Sequence, residues 1–243
     1  MKILLAPSET KTKGGTDKFV LDSLLFDELT PTRKLLLHKY MNILQKNSLE
    51  ELSKMFGLKK ESDISYYNRD IIHELTMKAI ERYTGVAFDY LDYKNLSSNS
   101  QEYIDNNVIL CSNLFGFIRA DDMIPEYRLK QGASVGELKP EKLYKEKSYL
   151  MEEYLANEDI LDLRAGFYDK FYKPTKPYTT LKFIKDGKVV SHWAKAYRGI
   201  VLREVANANI NSLEEFMKLS IGNLSIEEIQ MKKNRTEVIY NIS

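Results

Sequence analysis

The sequence predicts an α+β fold in one compact domain, with a mixed sheet and flanking helices. Short apolar runs typical of strands are mixed with segments of helical periodicity, without the regular strand–helix alternation of a doubly wound sheet. The pair Asp186-Gly187 between two apolar runs predicts a β-hairpin with a tight turn. No repeat, low-complexity tract or linker divides the 243 residues, so we expect a single domain over residues 1–243.

Apolar runs bounded by turn residues predict the strands, which are expected at residues 2–6, 108–110, 160–163, 181–184, 189–193 and 237–242. Pro31 opens the first predicted helix, Ser48 caps the second and Gly57 ends it. Further helices are expected at residues 63–83, 143–155, 198–208 and 212–219.

Gly57 lies between two predicted helices and forms a helix-hairpin-helix-like element with them. A tight glycine hairpin of this kind can offer backbone N–H groups to a DNA phosphate. Ordinary helical hairpins have the same sequence pattern, so Gly57 is a candidate phosphate contact and also a plain helix terminator.

The composition predicts a soluble globular protein, because 43% of the residues are hydrophobic and 29% are charged. The formal net charge is +1. No apolar run has the length of a membrane span, and the run at residues 3–6 is too short for a signal peptide. Cys111 is the single cysteine, which excludes an intramolecular disulfide. We therefore expect a cytoplasmic protein.

Positive charge is concentrated in residues 161–205, which contain ten Lys and Arg against four acidic residues. Eight aromatic residues are interleaved with these cations. Cations beside flat rings suit phosphates and bases, so the segment is a candidate anion-binding surface. A solvated surface with its rings in the core would have the same composition.

Residues 112–132 contain a mixture of charges and apolar side chains that fits no helical or strand period. The charges are Arg119, Asp121, Asp122, Glu126, Arg128 and Lys130. Charged groups in an apolar segment are costly to bury unless they are paired. The segment is therefore either an ion-pair network that holds loops together or a site for a charged ligand.

Polar side chains follow the predicted strands in several loops, where functional groups tend to gather. If these loops converge, they form a cation-lined cleft. Its anion-binding candidates are Ser8, Lys11, Arg119, Tyr127, Arg128, Arg164, Tyr168, Lys195 and Arg198. Glu9 and Asp122 supply opposing charge and are the candidate catalytic acid–base groups.

Several common sites are absent from the sequence, which lacks a glycine-rich phosphate loop, a nucleophile elbow and zinc-ligand spacing. We therefore expect no cofactor and no metal site. His192 is the one histidine considered for a site, because it lies beside Trp193 and shortly before Lys195.

Four blocks of the sequence resemble the YaaA family of peroxide-stress proteins, and they occur in the family's order. The blocks are Pro7-Ser8-Glu9-Thr10-Lys11; residues 112–132 with Ser112-Asn113-Leu114-Phe115-Gly116 and Ile118-Arg119; Leu163-Arg164 with Gly166-Phe167-Tyr168; and Ser191-His192-Trp193 with Lys195, Arg198, Gly199 and Arg203. The opening block differs from the family's SPAKT form through Glu9.

The resemblance implies a bacterial cytoplasmic protein with one compact α+β domain of unusual fold. It also implies a positively charged groove, a helix-hairpin-helix element and binding of double-stranded DNA. Family members are linked to survival of hydrogen peroxide, with lower free intracellular iron and less DNA damage.

Two hypotheses follow. In the first, the groove binds the DNA backbone independently of sequence through Lys11, Arg119, Arg128, Lys195 and Arg198. In the second, the protein is an enzyme that acts on a nucleotide, a nucleobase or a DNA lesion, because acids such as Glu9 and Asp122 repel phosphate but suit proton transfer. Direct iron binding is disfavoured, since no ligand cluster has suitable spacing.

Overall fold

The computed structural model describes residues 1–243, except for the side chains of residues 191 and 192. The strands in chain order are β1 (Lys2–Leu5), β2 (Asp17–Lys18), β3 (Leu75–Lys78), β4 (Val108–Ser112), β5 (Gly116–Arg119), β6 (Met123–Pro125), β7 (Ile160–Asp162), β8 (Tyr178–Lys185), β9 (Lys188–Val189), β10 (Leu224–Lys232) and β11 (Arg235–Ile242). The helices are α1 (Thr30–Lys46), α2 (Leu49–Phe56), α3 (Glu61–Tyr67), α4 (Ala79–Arg82), α5 (Val86–Leu91), α6 (Ser98–Asn107), α7 (Pro140–Lys145), α8 (Tyr149–Tyr154), α9 (Ser191–Asn207) and α10 (Leu213–Lys218).

The larger sheet is mixed and has the strand order β10-β11-β8-β7-β1-β4-β5, with β9 paired to β8. Its five central strands, β11, β8, β7, β1 and β4, are parallel to one another. The outer strands β5 and β10 and the short β9 are antiparallel. A smaller antiparallel sheet has the order β2-β3-β6. The predicted α+β fold with a mixed sheet and flanking helices is confirmed.

The centre of the core consists of β1, β4 and β7, whose apolar side chains are almost fully buried. Such continuous apolar runs are typical of parallel strands covered on both faces. The local predictions based on turn residues and caps agree with the structure. The Ser48 hydroxyl accepts a hydrogen bond from the Glu51 amide at 3.4 Å, and Asp186 and Gly187 both have positive φ, as a primed hairpin turn requires.

Three predicted elements are wrong in extent. Residues 63–83 do not form one helix, because α3 ends at Tyr67 and the chain continues through β3 into α4. The helix expected at residues 143–155 is divided into α7 and α8. Residues 191–193, expected in the hairpin strand, belong to α9, which therefore begins before Lys195 rather than at Arg198.

Arg82 explains why the chain turns where a long helix was expected. Its guanidinium is fully buried and donates to the carbonyls of Thr12, Leu75 and Ile124 at 2.6–3.1 Å. These hydrogen bonds connect β3 and β6 to the loop that follows β1. A buried guanidinium that satisfies several backbone carbonyls overrides local helix propensity, and sequence periodicity does not reveal such long-range partners.

Candidate functional site

The carboxyl ends of the parallel strands β1 and β7 lie side by side at one edge of the sheet. In open sheets with parallel strands, ligands bind outside this edge. The loop after β1 contains Ser8 and Glu9, and the loop after β7 contains Ala165 and Tyr168. Both loops line the same cleft.

The cleft has a volume of about 520 Å³. Residues 84–88 at the start of α5, residues 128 and 131, and the first half of α9 complete its wall. Its main polar side chains are Ser8, Glu9, Arg128, Tyr168, Lys195 and Arg198, and its apolar surface includes Leu5, Pro7, Val86, Phe88 and Leu163. The cleft thus combines cations, one carboxylate and an apolar wall.

Glu9 and Arg128 form an ion pair in the cleft wall. The Arg128 Nη2 atom donates to Glu9 Oε2 at 2.9 Å, and the Gln131 amide donates to Glu9 Oε1 at 3.0 Å. Arg128 also donates through Nε to the Phe56 carbonyl at 3.0 Å. The Glu9 carboxylate is therefore held in one orientation, and it retains free lone pairs because each oxygen can accept two hydrogen bonds.

Lys195 and Arg198 project from neighbouring turns of α9, three residues apart and on the same face. Lys195 is exposed, whereas Arg198 is half-buried. Burial lowers the pKa of Arg198, and the nearby Asp162 opposes this effect. In the part of the chain that the structure describes, Arg198 has no hydrogen-bond or ion-pair partner. Its positive charge faces the cleft.

Gly199 allows α9 to approach α5 closely enough to place Arg198 in the wall. A Cβ atom at this position would lie 2.0 Å from the Ala87 carbonyl oxygen and 3.0 Å from the Leu91 nitrogen. No side chain fits between the two helices there. Gly199 therefore fixes the geometry of the cleft without contacting a ligand.

Lys11 and Tyr127 lie beneath the cleft rather than on its surface. The Lys11 ammonium lies 3.9 Å from the Tyr127 ring centroid and 5.0 Å from that of Tyr83, and it donates to the carbonyls of Ser8 and Glu9. Burial, with a further contribution from Arg128, holds the pKa of Lys11 well below its usual value. Lys11 thus supports the loop that carries Ser8 and Glu9.

The Tyr127 hydroxyl lies 2.8 Å from the hydroxyls of both Tyr83 and Ser112, and all three groups are buried. Burial raises the pKa of Tyr127 to about 12. These hydroxyls form a neutral chain of hydrogen bonds below the cleft. Tyr168, in contrast, lines the cleft and hydrogen-bonds Asn113 Oδ1 at 3.3 Å.

Arg164 is buried next to the cleft and does not line it. Its guanidinium forms a two-pronged ion pair with Asp162, with distances of 2.8 and 2.7 Å. It also donates to the carbonyls of Tyr168 and Tyr172. Arg164 therefore fixes the loop that presents Tyr168, which is a structural role compatible with the ion-pair network considered above.

Arg119 and Asp122 lie away from the cleft, at the opposite edge of the sheet. The reason is the strand β5, which the sequence did not predict and which returns antiparallel to β4, so that Arg119 is level with Ile109 near the start of β4. Asp122 accepts hydrogen bonds from the amides of Leu25 and Arg119 and from the Arg119 guanidinium. The expected convergence of all the loops is therefore only partial, and this pair holds a turn together.

Gly57 ends α2 ahead of α3, and the turn there differs from a phosphate cradle. Gly57 has φ +68°, and the amides of Gly57 and Leu58 both donate to the Ser53 carbonyl. These two N–H groups are thus already used within the turn. The end of α2 instead contacts the site segment, because the Lys130 amide donates to the Met55 carbonyl at 2.9 Å.

The cleft also contains residues that sequence reasoning missed, namely Thr10, Thr84, Gln131 and residues 85–88. Gly85, with φ +105°, marks the start of α5. The sequence offered a signal there in Thr84-Gly85, but the long helix expected at residues 63–83 obscured it. The side chain of His192 lies outside the residues that the structure describes.

Among the described residues, no cluster of His, Cys, Asp and Glu has the arrangement of a metal site. Within the same residues, every helix is too short or too polar to cross a membrane.

The fold and the site define an α+β protein with a cation-lined cleft at the carboxyl edge of its parallel strands. The sequence profile of the family described as peroxide stress protein YaaA matches residues 1–230. The chain is 45% identical over 244 residues to an uncharacterised protein of Campylobacter jejuni, and the match covers 100% of this chain and 99% of that protein. It is 34% identical over 242 residues to a UPF0246 protein of Corynebacterium glutamicum, and the match covers 94% of this chain and 95% of that protein.

The chain therefore belongs to the peroxide stress protein YaaA family. The family expected from the four sequence blocks is confirmed, and membership supports a role in peroxide stress.

Proposed function

We propose that this peroxide-stress protein binds a nucleotide, free or as one unit of DNA, in the cleft at the carboxyl edge of the sheet. The observation that carries the proposal is the half-buried Arg198, which faces the cleft beside the exposed Lys195 and has no hydrogen-bond or ion-pair partner among the residues described. A guanidinium and an ammonium on one helix face form a receptor for a phosphate group.

The size and the lining of the cleft suit a nucleotide better than an inorganic anion. Its volume of about 520 Å³ falls within the range of small-molecule sites. Apolar residues such as Val86 and Phe88 can cover a base or a sugar, while Ser8 and Glu9 offer hydrogen-bonding groups to its edge. We therefore expect the phosphate to bind at α9 and the base to contact the opposite wall.

A binding experiment tests this proposal directly. We expect nucleoside monophosphates to raise the melting temperature of the protein in a thermal-shift assay, since a ligand selective for the native state stabilises it. Arg198→Ala should weaken the binding measured by calorimetry by roughly 10- to 100-fold, the range for a lost charged hydrogen bond. Lys188→Ala, which removes one positive charge from the exposed β9, is the matched control and should bind as the wild type does.

The proposal fails if no nucleotide alters the melting temperature, or if Arg198→Ala and Lys188→Ala bind equally well. Inorganic phosphate alone separates the parts of the ligand. If phosphate binds as tightly as the nucleotides, the apolar wall does not contribute and the base assignment is wrong.

Sequence-independent DNA binding is the second candidate function, favoured by the excess of Lys and Arg over acids in residues 161–205. It requires that the logarithm of the affinity for short duplexes falls linearly with the logarithm of the salt concentration. The expected slope is roughly −0.9 per phosphate neutralised. If DNA uses the cleft, Arg198→Ala should weaken binding more than Lys188→Ala and reduce the slope by about one. A flat salt titration would contradict this candidate.

Glu9 gives the same cleft an acid–base group. With it, the protein would act in the cytoplasm as an enzyme on a nucleotide, a nucleobase or a DNA lesion. Asp122 is not assigned this role, because it lies at the opposite edge of the sheet. Glu9→Gln keeps the hydrogen bond from the Gln131 amide but removes the base. We expect Glu9→Gln to retain nucleotide binding and to lose any turnover seen by chromatography of the incubated ligand; unchanged turnover would exclude Glu9 as the base.

A further inference from the structure

The strand β10 forms one edge of the larger sheet, and its outer side is unpaired among the residues described. Nearly the whole strand is exposed, including Ile226 (41%), Ile229 (47%) and Met231 (79%). An exposed edge strand with apolar side chains is a template for pairing with another strand. β10 is therefore the sheet edge to which a further strand can be added.

A β-bulge brings these apolar side chains to one face of the sheet. The register of β10 with β11 pairs Ile226 with Tyr240, Ile229 with Val238 and Met231 with Thr236, and it shifts between residues 226 and 228. Tyr240, Val238 and Thr236 alternate along β11 and so point to one face. Without the bulge, Ile226 would point to the other face, because side chains alternate along a strand.

The charges of β10 are arranged in a self-complementary way. Glu227 and Glu228 precede Lys232, the last residue of β10, by four to five residues. Lys232 is opposite Arg235 on β11, so a like charge faces it on its paired side. Across a sheet, opposite charges in register are stabilising and like charges are destabilising. An acidic residue on the open side of Lys232 would therefore relieve this contact.

We propose that β10 pairs antiparallel with β10 of a second copy of this chain, with Gln230 on the two-fold axis. In this register Glu228 is opposite Lys232 of the second copy, and Ile229 is opposite Met231 of the second copy. The apolar stripes of the two chains join on one face of a continuous sheet, and the ion pairs form on the other face. The interface is isologous, so every contact occurs twice.

Charge favours this register over the neighbouring one centred on Ile229. In a symmetric antiparallel pair, the two-fold axis must pass between the two copies of one residue, which lie directly opposite each other. The reason is that directly opposite side chains point to the same face of the sheet. Centring the pair on Ile229 would place Glu228 opposite Gln230 and Ile226 opposite Lys232. Centring it on Gln230 pairs Glu228 with Lys232 in both directions.

Charge reversal with complementation tests the proposal. Sedimentation velocity of the wild-type protein should show a concentration-dependent monomer–dimer equilibrium. Glu228→Lys and Lys232→Glu should each weaken dimerisation at least about tenfold, because both ion pairs become like-charge pairs. An equimolar mixture of the two variants should dimerise as the wild type does, since both pairs are again of opposite charge.

The mixture also controls for folding, because a misfolded variant cannot restore dimerisation in its partner. Lys218→Glu, an exposed reversal on α10, is the matched control and should dimerise normally. A wild-type protein that stays monomeric up to about 500 μM would overturn the proposal, because interfaces of standard size have dissociation constants in the micromolar range or below. A dimer that both variants leave unchanged, or that the mixture fails to restore, would also overturn it.

Discussion

Replacing Gly199 with alanine tests the contact that positions α9 and hence Arg198. The added Cβ atom would lie 2.0 Å from the Ala87 carbonyl oxygen, whereas ordinary contacts begin at 3.4 Å. The helices α5 and α9 must therefore separate by at least about 1.4 Å. The obstacle is backbone, so rotation of a side chain cannot relieve it.

The expected loss of stability follows from two opposing effects. Overpacking of this kind costs about 1–3 kcal/mol, while alanine gains up to about 1 kcal/mol over glycine in a helix interior. We expect Gly199→Ala to lower the free energy of unfolding by about 1–2 kcal/mol, measured as a decrease in the urea midpoint. The melting temperature should fall by roughly 2–4 °C per kcal/mol for a domain of this size.

Gly166→Ala is the matched control for this substitution. A Cβ atom at residue 166 has no other atom within 4 Å and its backbone φ is not positive, so the stability should change by less than about 0.5 kcal/mol. Nucleotide binding should weaken in Gly199→Ala, because the cleft wall from Val86 to Phe88 moves away from Arg198. A Gly199→Ala protein as stable as Gly166→Ala would refute the packing argument.

Three further predictions concern groups around the cleft. Burial and Arg128 hold the pKa of Lys11 well below its usual value of 10.5. Between the lowered pKa and the usual one, the unfolded chain binds more protons than the folded protein, so stability rises with pH in that range. Lys11→Met should abolish this rise in melting temperature as the pH approaches 10.5, the ordinary lysine pKa; an unchanged pH profile would contradict the burial of Lys11. Asp162→Asn leaves the buried Arg164 without its carboxylate and should cost about 3–5 kcal/mol in urea unfolding, whereas a loss below about 1 kcal/mol would show that the pair is not buried. Gly57→Ala forces a side chain into the left-handed region and should cost about 1–2 kcal/mol by the same measurement, with unaltered nucleotide affinity in calorimetry.

The local elements were predictable where a short stretch of sequence decides them. The strands β1, β4 and β7 are continuous apolar runs, and the Ser48 cap and the Asp186-Gly187 turn act within four residues. These interactions depend on neighbouring residues alone. For that reason they were recognised without knowledge of the tertiary structure.

The elements that were missed depend on distant partners. The region of residues 63–83 lost its predicted helix because Arg82 satisfies carbonyls from three separate segments. The strand β5 went unnoticed because its residues lie in a segment rich in charges, and Gly116 at its start, with φ +72°, is part of the turn from β4. Missing β5 led directly to the placement of Arg119 and Asp122 in the cleft.

The same distinction separates the site residues. Ser8, Glu9, Arg128, Lys195 and Arg198 were chosen as polar residues after strands, and the structure places them around one cleft. Lys11, Tyr127 and Arg164 were chosen by the same rule, yet they lie below or beside it. Sequence position does not distinguish a side chain on the surface of a cleft from one that supports its loops.

The amino-acid sequence by itself determined the fold class, the family and the list of polar residues from which a site is built, because composition, periodicity and motif order are local properties of the chain. Only the tertiary structure decided which of those residues face a common cleft, since the direction of β5 and the approach of α9 to α5 at Gly199 are set by contacts between segments far apart in the sequence. Strand direction reverses the edge at which a loop emerges, and that single geometric fact separates Asp122 from Glu9.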